Sequence, residues 1–478
     1  MKGKRIPKSQ LLKSLPDEWS QNLRPVIDAR NRADRRKIVV LDDDPTGTQT
    51  IHDLPVLTEW STEALATEFK NDLPAFYILT NSRSFTLPVA RKINADIGRN
   101  LIVASEQTGR TFSVVSRSDS TLRGHFPGEV EALSDALGRG YDGCIIIPFF
   151  QEGGRYTVNN VHYVEEDGVL VPAAETEFAG DHVFGYSVSN LCDWVAEKTG
   201  GQIVAKDVVS ISIEDLRRGG PESVTTILMA LHRGSYCVVN ALGYRDLEVF
   251  VQGLLAAEGC GKRFIFRTAA SFVQVRAGLT PRPLLTKIDL PLPPAGGGLI
   301  VVGSFVPRST RQVEALLAER DLSHIEIDVD ALVDDQLRDG EINRAVDDME
   351  TMLRRGIDVL IFTSRRLKIG KDSTESLQIG QTISKGLITV VRRLRQRPRY
   401  IVAKGGITSS DIATRALDVK KAFVLGQIQP GVPVWRLGHE SCFPDLIYIV
   451  FPGNVGDEKA LVDIVRQLRV RDDCKWRS

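Results

Sequence analysis

The sequence predicts an α/β protein of two domains, each a mainly parallel sheet flanked by helices, with an active site in the cleft between them. Three observations carry this. Short, continuously apolar, β-branched runs recur along the chain, as in strands covered on both faces. Polar clusters stand at the exits of successive runs, where open α/β sheets bind ligands. A chain of 478 residues is also too long for a single core.

The charged residues balance to a formal net charge of zero, so there is no electrostatic case for nucleic acid or an anionic membrane as partner. Small molecules fit better. The six cysteines are scattered, without a Cys-x-x-Cys pair or histidine spacing for zinc, and read as reduced thiols of a cytoplasmic protein. No apolar run reaches the length of a membrane span, and the start of the chain lacks a signal-peptide core. Residues 1–36, rich in arginine, are expected to form an arm with one or two short helices. Neither oligomeric state nor a metal-ligand set is legible, although a homo-oligomer is compatible with such an arm.

The first domain, 37–280, opens on Lys37-Ile-Val-Val-Leu-Asp42-Asp43-Asp44-Pro45-Thr46-Gly47. Three adjacent carboxylates repel one another, and the arrangement makes sense if a cation, Mg2+ or a substrate hydroxyl answers them. Ala75–Arg83 is a second apolar strand ending in polar residues. Thr111–Val115 is a third, running into Ser116-Arg117-Ser118-Asp119-Ser120-Thr121-Leu122-Arg123-Gly124-His125 and then a helix over 128–137. A fourth, Gly143–Phe150, leads into a loop carrying Arg155 and His162. Tyr236–Asn240 and Lys262–Thr268 are further strands of the same sheet.

Residues 281–298, rich in proline and ending in three glycines, read as the linker. The second domain, 299–478, repeats the strand-helix alternation, with three strands exiting into glycine turns: Gly303-Ser304, Gly405-Gly406-Ile407-Thr408, and Pro452-Gly453-Asn454-Val455-Gly456. Glycine lets backbone N–H groups approach an anion, and a helix N-terminus adds partial positive charge, so three such turns on one edge would cradle phosphates. Ser309 with Gln312, and Thr408 with Asp411, have capping-box spacing. Neither a P-loop nor a dinucleotide fingerprint is present; Lys371 follows a glycine, but the upstream glycine is missing. One domain suited to a polar anionic metabolite and one suited to phosphates point to phosphoryl transfer onto a hydroxy acid.

Taken together and in order over residues 37–457, these motifs resemble those of the four-carbon acid sugar kinase family. The resemblance implies ATP-dependent, Mg2+-assisted phosphorylation of a threonate-, erythronate- or 3-oxo-tetronate-type acid, or of a branched five-carbon oxo acid such as 3-oxo-isoapionate. It assigns the acid to the first domain and the nucleotide to the second. It places Ser304, Gly405, Gly406, Ile407, Thr408 and Gly453 on ATP, and Asp43, Asp44, Asp119, Ser120, Arg123 and His162 toward the sugar acid. The chain departs from the family pattern at Ile407, where many members carry an acid, and at Ser116-Arg117-Ser118.

Residue chemistry suggests roles. Arg123, with Arg155 or Arg83, suits the substrate carboxylate because a guanidinium matches that planar anion. Asp44 or Asp119 would accept the hydroxyl proton, Asp44 being nearer the turn. His162 suits a structural hydrogen bond as well as a ligand, and Lys404 could touch phosphate but reads first as a solvated loop lysine. Asp42-x-Asp44, with Thr80 at the next strand end, also resembles the nucleophile motif of haloacid-dehalogenase-type phosphatases. A non-catalytic sensor of sugar acid and nucleotide is a further alternative.

Overall fold

In the computed structural model the described residues are 4–138, 140–303, 307–364, 373–453 and 455–469, with backbone alone at 373–378. The chain divides into two compact units, residues 1–281 and 282–478.

The first unit contains β1 (Ile6–Pro7), β2 (Lys37–Asp42), β3 (Leu54–Leu57), β4 (Ala75–Leu79), β5 (Phe112–Arg117), β6 (Gly143–Ile147), β7 (Arg155–Val158), β8 (Val161–Glu166), β9 (Val169–Pro172), β10 (Val209–Ile211), β11 (Ser235–Val239) and β12 (Phe264–Thr268). Eight of these pair in parallel in the order β10-β11-β6-β12-β5-β2-β4-β3. Every residue of β2, β4 and β6 is buried, which is what helices packed on both faces require and why the runs are apolar without alternation. The chain leaves β2 to one side through β3 and β4 and then crosses to β5 on the other. The crevice between the ends of β2 and β5 is therefore the switch point at which such sheets bind ligands.

A second, antiparallel sheet has the order β1-β9-β8-β7. Its turns are Asn159-Asn160 and Asp167-Gly168, all with positive φ, the backbone that two-residue hairpins need. The N-terminal arm supplies β1, and Lys8 fixes it through Glu165 (2.9 Å) and the Tyr156 hydroxyl (2.7 Å). The arm is thus part of the sheet that carries Arg155 and His162.

The second unit contains β13 (Leu299–Val302), β14 (Leu322–Ile327), β15 (Asp358–Thr363), β16 (Tyr400–Lys404), β17 (Lys421–Gln429), β18 (Val432–Leu437) and β19 (Ile447–Phe451). They pair in the order β17-β18-β19-β16-β13-β15-β14, parallel from β19 to β14 and antiparallel at β17 and β18. Leu285 and Leu290 of the proline-rich segment are buried in this unit's core with Ile300, Val402 and Ile449, and the Leu285 N–H donates to the Gln427 carbonyl at 2.7 Å. No helix among the described residues is long and apolar enough to cross a membrane.

Candidate functional site

The first unit gathers charge at its switch point. Asp42 and Arg117 end neighbouring strands in register, so Arg117 Nη1 lies 3.1 Å from Asp42 Oδ1 and 3.7 Å from Asp43 Oδ1. Gly47 is required just beyond: a Cβ there would fall 2.0 Å from Asp42 Oδ2, so the turn folds directly onto that carboxylate. Burial pushes the Asp42 carboxyl up to about 7, against the pull of Arg117. Asp44 accepts the Thr46 N–H at 2.8 Å and caps the turn.

Arg83 binds the cluster together. Its guanidinium reaches Asp43 (3.6 Å), Asp44 (2.6 Å) and Asp119 (3.2 Å). Burial acts to raise the Asp44 carboxyl, but Arg83 and the Thr46 hydrogen bonds outweigh it and hold the group below its ordinary value. Asp119 is more heavily engaged. It accepts Arg123 Nε at 2.9 Å and Nη2 at 3.3 Å, the Thr121 hydroxyl, and the Thr121 and Arg123 N–H groups at 3.3 and 3.4 Å. Against the cost of burial, Arg123 and Arg83 hold its carboxyl far below the usual carboxylate range.

Asp43 is the exception. Both of its oxygens are buried without a hydrogen-bond partner among the described residues, and the two arginines stand at ion-pair rather than hydrogen-bond distance. Burial pushes its carboxyl up to about 6 even against Arg83 and Arg117. A Cβ on Gly124 would lie 3.4 Å from Asp43 Oδ2, so the bare glycine backbone packs against that buried oxygen.

The remaining expected residues surround this cluster. Arg123 also faces Asp181 at 3.7 Å, and Arg123 and Arg155 flank the Phe178 ring at 5.2 and 5.6 Å. Ser120 is buried in the loop between β5 and the following helix. His162 is wholly buried and lies behind that loop. Nε2 is 2.7 Å from the Ser120 carbonyl and Nδ1 2.9 Å from Thr157 Oγ1. A carbonyl only accepts, so Nε2 carries the proton and Nδ1 accepts from the hydroxyl. Burial lowers its pKa to about 4, which keeps the ring neutral. With both nitrogens occupied, His162 contacts the loop and leaves no ring nitrogen for a ligand.

Reading the sequence missed Arg117, Phe178, Asp181 and Arg267, and gave Arg83 only a minor part. Arginines at strand ends pass for surface charge, although their succession at the ends of neighbouring strands is itself a signal. The phosphatase geometry does not form. Asp42, the would-be nucleophile, is 1% exposed, paired with Arg117 and covered by the Gly47 turn, and the Thr80 hydroxyl is spent on the Asp42 carbonyl at 2.9 Å.

In the second unit β13, β16 and β19 are adjacent and parallel, so the turns at Gly303, Gly405 and Gly453 sit side by side at their C-terminal ends. Ser304, Lys371 and Asn454 lie outside the described residues. Gly405 has φ +110° and passes directly into the helix Gly406–Asp411. Thr408 is therefore inside the helix and not a cap ahead of it, and Ser309 is likewise inside Pro307–Leu317. Gln312 instead donates to the Val455 and Asp457 carbonyls at 3.2 and 2.7 Å, tying the third turn down. A Cβ on Gly303 would fall 2.7 Å from Thr408 Oγ1, so the first turn and the Gly406 helix meet at backbone distance. Ile407 is 58% exposed on that helix.

Lys404 is not a solvated loop lysine. It is fully buried, donates to the Pro452 carbonyl at 2.6 Å, and stands 4.0 Å over the Phe451 ring. Burial lowers its pKa to about 7, and no carboxylate pairs with it among the described residues. An uncompensated cation beneath three glycine turns fits a polyanion such as a triphosphate. Among the described residues no group of three or more His, Cys, Asp or Glu is arranged to hold a metal ion. Mg2+ coordinated mainly by phosphates and water needs no such cage.

Residues 38–276 match the model of a sugar-binding N-terminal domain and residues 299–461 that of a nucleotide-binding C-terminal domain. The chain is 24% identical over 380 residues to a D-erythronate kinase of Heliobacterium modesticaldum, covering 75% of this chain and 80% of that one. Its fold is similar to that of a protein of Salmonella typhimurium LT2 (TM-score 0.66, 18% identity, 90% of this chain and 98% of that one). It is also similar to Haemophilus influenzae protein HI1011 (TM-score 0.59, 18% identity, 90% and 99%).

Proposed function

This chain belongs to the four-carbon acid sugar kinase family, and from that premise we propose that it transfers the γ-phosphoryl group of ATP to a hydroxyl of a small sugar acid. The observation that carries the reading is the pairing of a sugar-binding and a nucleotide-binding domain in one chain. The first domain gathers acids and arginines at its strand ends, and the second sets glycine turns and the buried Lys404 at its own.

Arg123 and Arg155, both stacked on Phe178, receive the carboxylate of the acid. Asp43 accepts the hydroxyl proton as the oxygen attacks the γ-phosphorus and ADP departs. Asp43 takes this role in preference to Asp44 and Asp119, because they are saturated by arginines and have depressed basicity, whereas Asp43 has free lone pairs and a pKa near neutrality. Arg83 and Arg117 hold Asp43 in place and limit how far its pKa rises. In the second unit the Gly303, Gly405–Thr408 and Gly453 turns receive the phosphates, with Ser304 assigned there by the family resemblance, and Lys404 contributes charge from below. Mg2+ carried by the triphosphate would supply positive charge to its oxygens.

Substrate class is tested by incubation with ATP, Mg2+ and a panel of four- and five-carbon sugar acids of defined stereochemistry, erythronate, threonate and 3-oxo acids included. ADP release that depends on one of these acids supports the reading. Tight binding of acid and nucleotide without ADP would leave a sensor in its place.

A further inference from the structure

The loop Asp119–Gly124 is held by its carbonyl oxygens. Arg267, at the end of β12, donates from Nη1 to the Asp119 carbonyl (3.2 Å) and from Nη2 to the Arg123 carbonyl (3.0 Å). His162 donates to the Ser120 carbonyl, and the Tyr186 hydroxyl to the Thr121 carbonyl at 2.8 Å. Four of five successive carbonyls are thus drawn toward buried donors. The loop needs such support: Leu122 is a buried non-glycine residue at φ +71°, and Gly124 is at φ +127°, conformations that persist only where surroundings enforce them.

Arg267 is 1% exposed, and no carboxylate forms an ion pair with it among the described residues. Its charge is answered by the two carbonyls, by the Trp194 ring 5.3 Å away, and at longer range by Asp43 and Asp119. A planar fork spans two carbonyls four residues apart; a lysine ammonium offers a single point.

We infer that Arg267 is a positioning residue for the sugar acid: with His162 and Tyr186 it clamps the 119–124 loop by its carbonyls, setting where Asp119 and Arg123 stand and holding Gly124 against Asp43. The inference rests on the proposal that this loop belongs to the sugar-acid site. Without the clamp the loop samples other conformations and the acid must reorder it, so affinity for the acid falls while the nucleotide is unaffected.

The test uses the full chain with Arg267→Met, Arg267→Lys and Tyr186→Phe. Steady-state ADP release gives KM for acid and ATP separately, and amide hydrogen exchange reads residues 119–124 against β5 and β12. For Arg267→Met the expected result is an acid KM raised about tenfold or more with ATP KM unchanged, as loss of two charge-assisted hydrogen bonds implies. Loop exchange should accelerate while the neighbouring strands keep their protection. Arg267→Lys restores part of this, and Tyr186→Phe, which keeps its ring, shifts both readouts the same way by about two- to fivefold. Unchanged acid KM and loop exchange in a folded Arg267→Met overturn the inference, as does acceleration spread evenly over the unit with both KM values shifted. If Arg267→Met does not fold, Tyr186→Phe decides, and wild-type values for it overturn the inference. Failure of the kinase proposal is distinguishable: wild-type protein then releases no ADP with any acid, and the exchange comparison alone decides whether the clamp exists.

Discussion

Replacing Asp43 by asparagine separates catalysis from stability. The carboxyl is pushed up to about 6 by burial, so in the wild type the reactive, ionised form is lost as pH falls through that value. The turnover rate should therefore be flat above neutrality and fall to about one-tenth of its plateau at pH 5. Asparagine keeps the shape and cannot accept the proton, which should lower kcat by about 10²- to 10⁴-fold and remove the limb. Stability should move the opposite way. A folded-state pKa above the ordinary value of about 3.9 means that the folded protein binds the proton more tightly. Stability from this group is therefore full at low pH and lost as pH rises to about 6. The rise to about 6 sets a ceiling of about 3 kcal/mol on that loss. Asp43→Asn should accordingly be as stable as wild type or more so at pH 8, with the difference vanishing near pH 4, as read from denaturant midpoints. An asparagine variant with wild-type kcat, or a wild-type rate independent of pH from 5 to 8, refutes the assignment.

Other outcomes follow from the same geometry. Asp44→Asn removes a negative charge that raises the Asp43 pKa, so residual activity should show its acid limb moved to lower pH, measured by kcat against pH. Gly124→Ala puts a methyl group over Asp43 Oδ2 at a backbone angle that favours glycine, and should lower kcat about tenfold or more, with nucleotide affinity intact by calorimetry. Lys404→Met removes a charged donor from the Gly453 turn; a loss of about 1.5–3 kcal/mol, roughly 10- to 100-fold in ATP affinity, is expected with acid KM unchanged. Because burial lowers the Lys404 pKa to about 7, wild-type ATP affinity should weaken as pH rises through 7, a dependence the methionine variant lacks.

Much of the fold was legible because parallel strands buried on both faces leave an unbroken apolar signature. Lys37–Leu41, Ala75–Leu79 and Tyr400–Ala403 show it, and each ends at a turn of a candidate site. The antiparallel pieces were harder. The stretch carrying Arg155 and His162, expected as a loop, forms two short antiparallel strands polar on one side, although Asn159-Asn160 between them is a hairpin turn in type. The three glycine turns stand where the sequence put them, on neighbouring strands. Their caps do not form as expected, because Gly405 hands the strand straight into the helix. In the acidic site the residues were legible and their division of labour was not. Asp43, Asp44 and Asp119 are chemically alike in sequence, and only the placement of Arg83, Arg117 and Arg123 decides which of them retains free lone pairs. Buried cations such as Arg267 and Lys404 carry no mark in the sequence, since surface arginines and lysines look the same.

Phosphorus NMR of ATP, Mg2+ and the best sugar acid from the panel, with the full chain as catalyst, follows both reactants at once. A sugar acid kinase forms one ADP and one new phosphomonoester for each ATP consumed, and leaves the acid's phosphate ester unreacted in the absence of nucleotide. Release of inorganic phosphate from that ester without ADP, or consumption of ATP to ADP and phosphate with the acid left unmodified, would contradict the kinase reading.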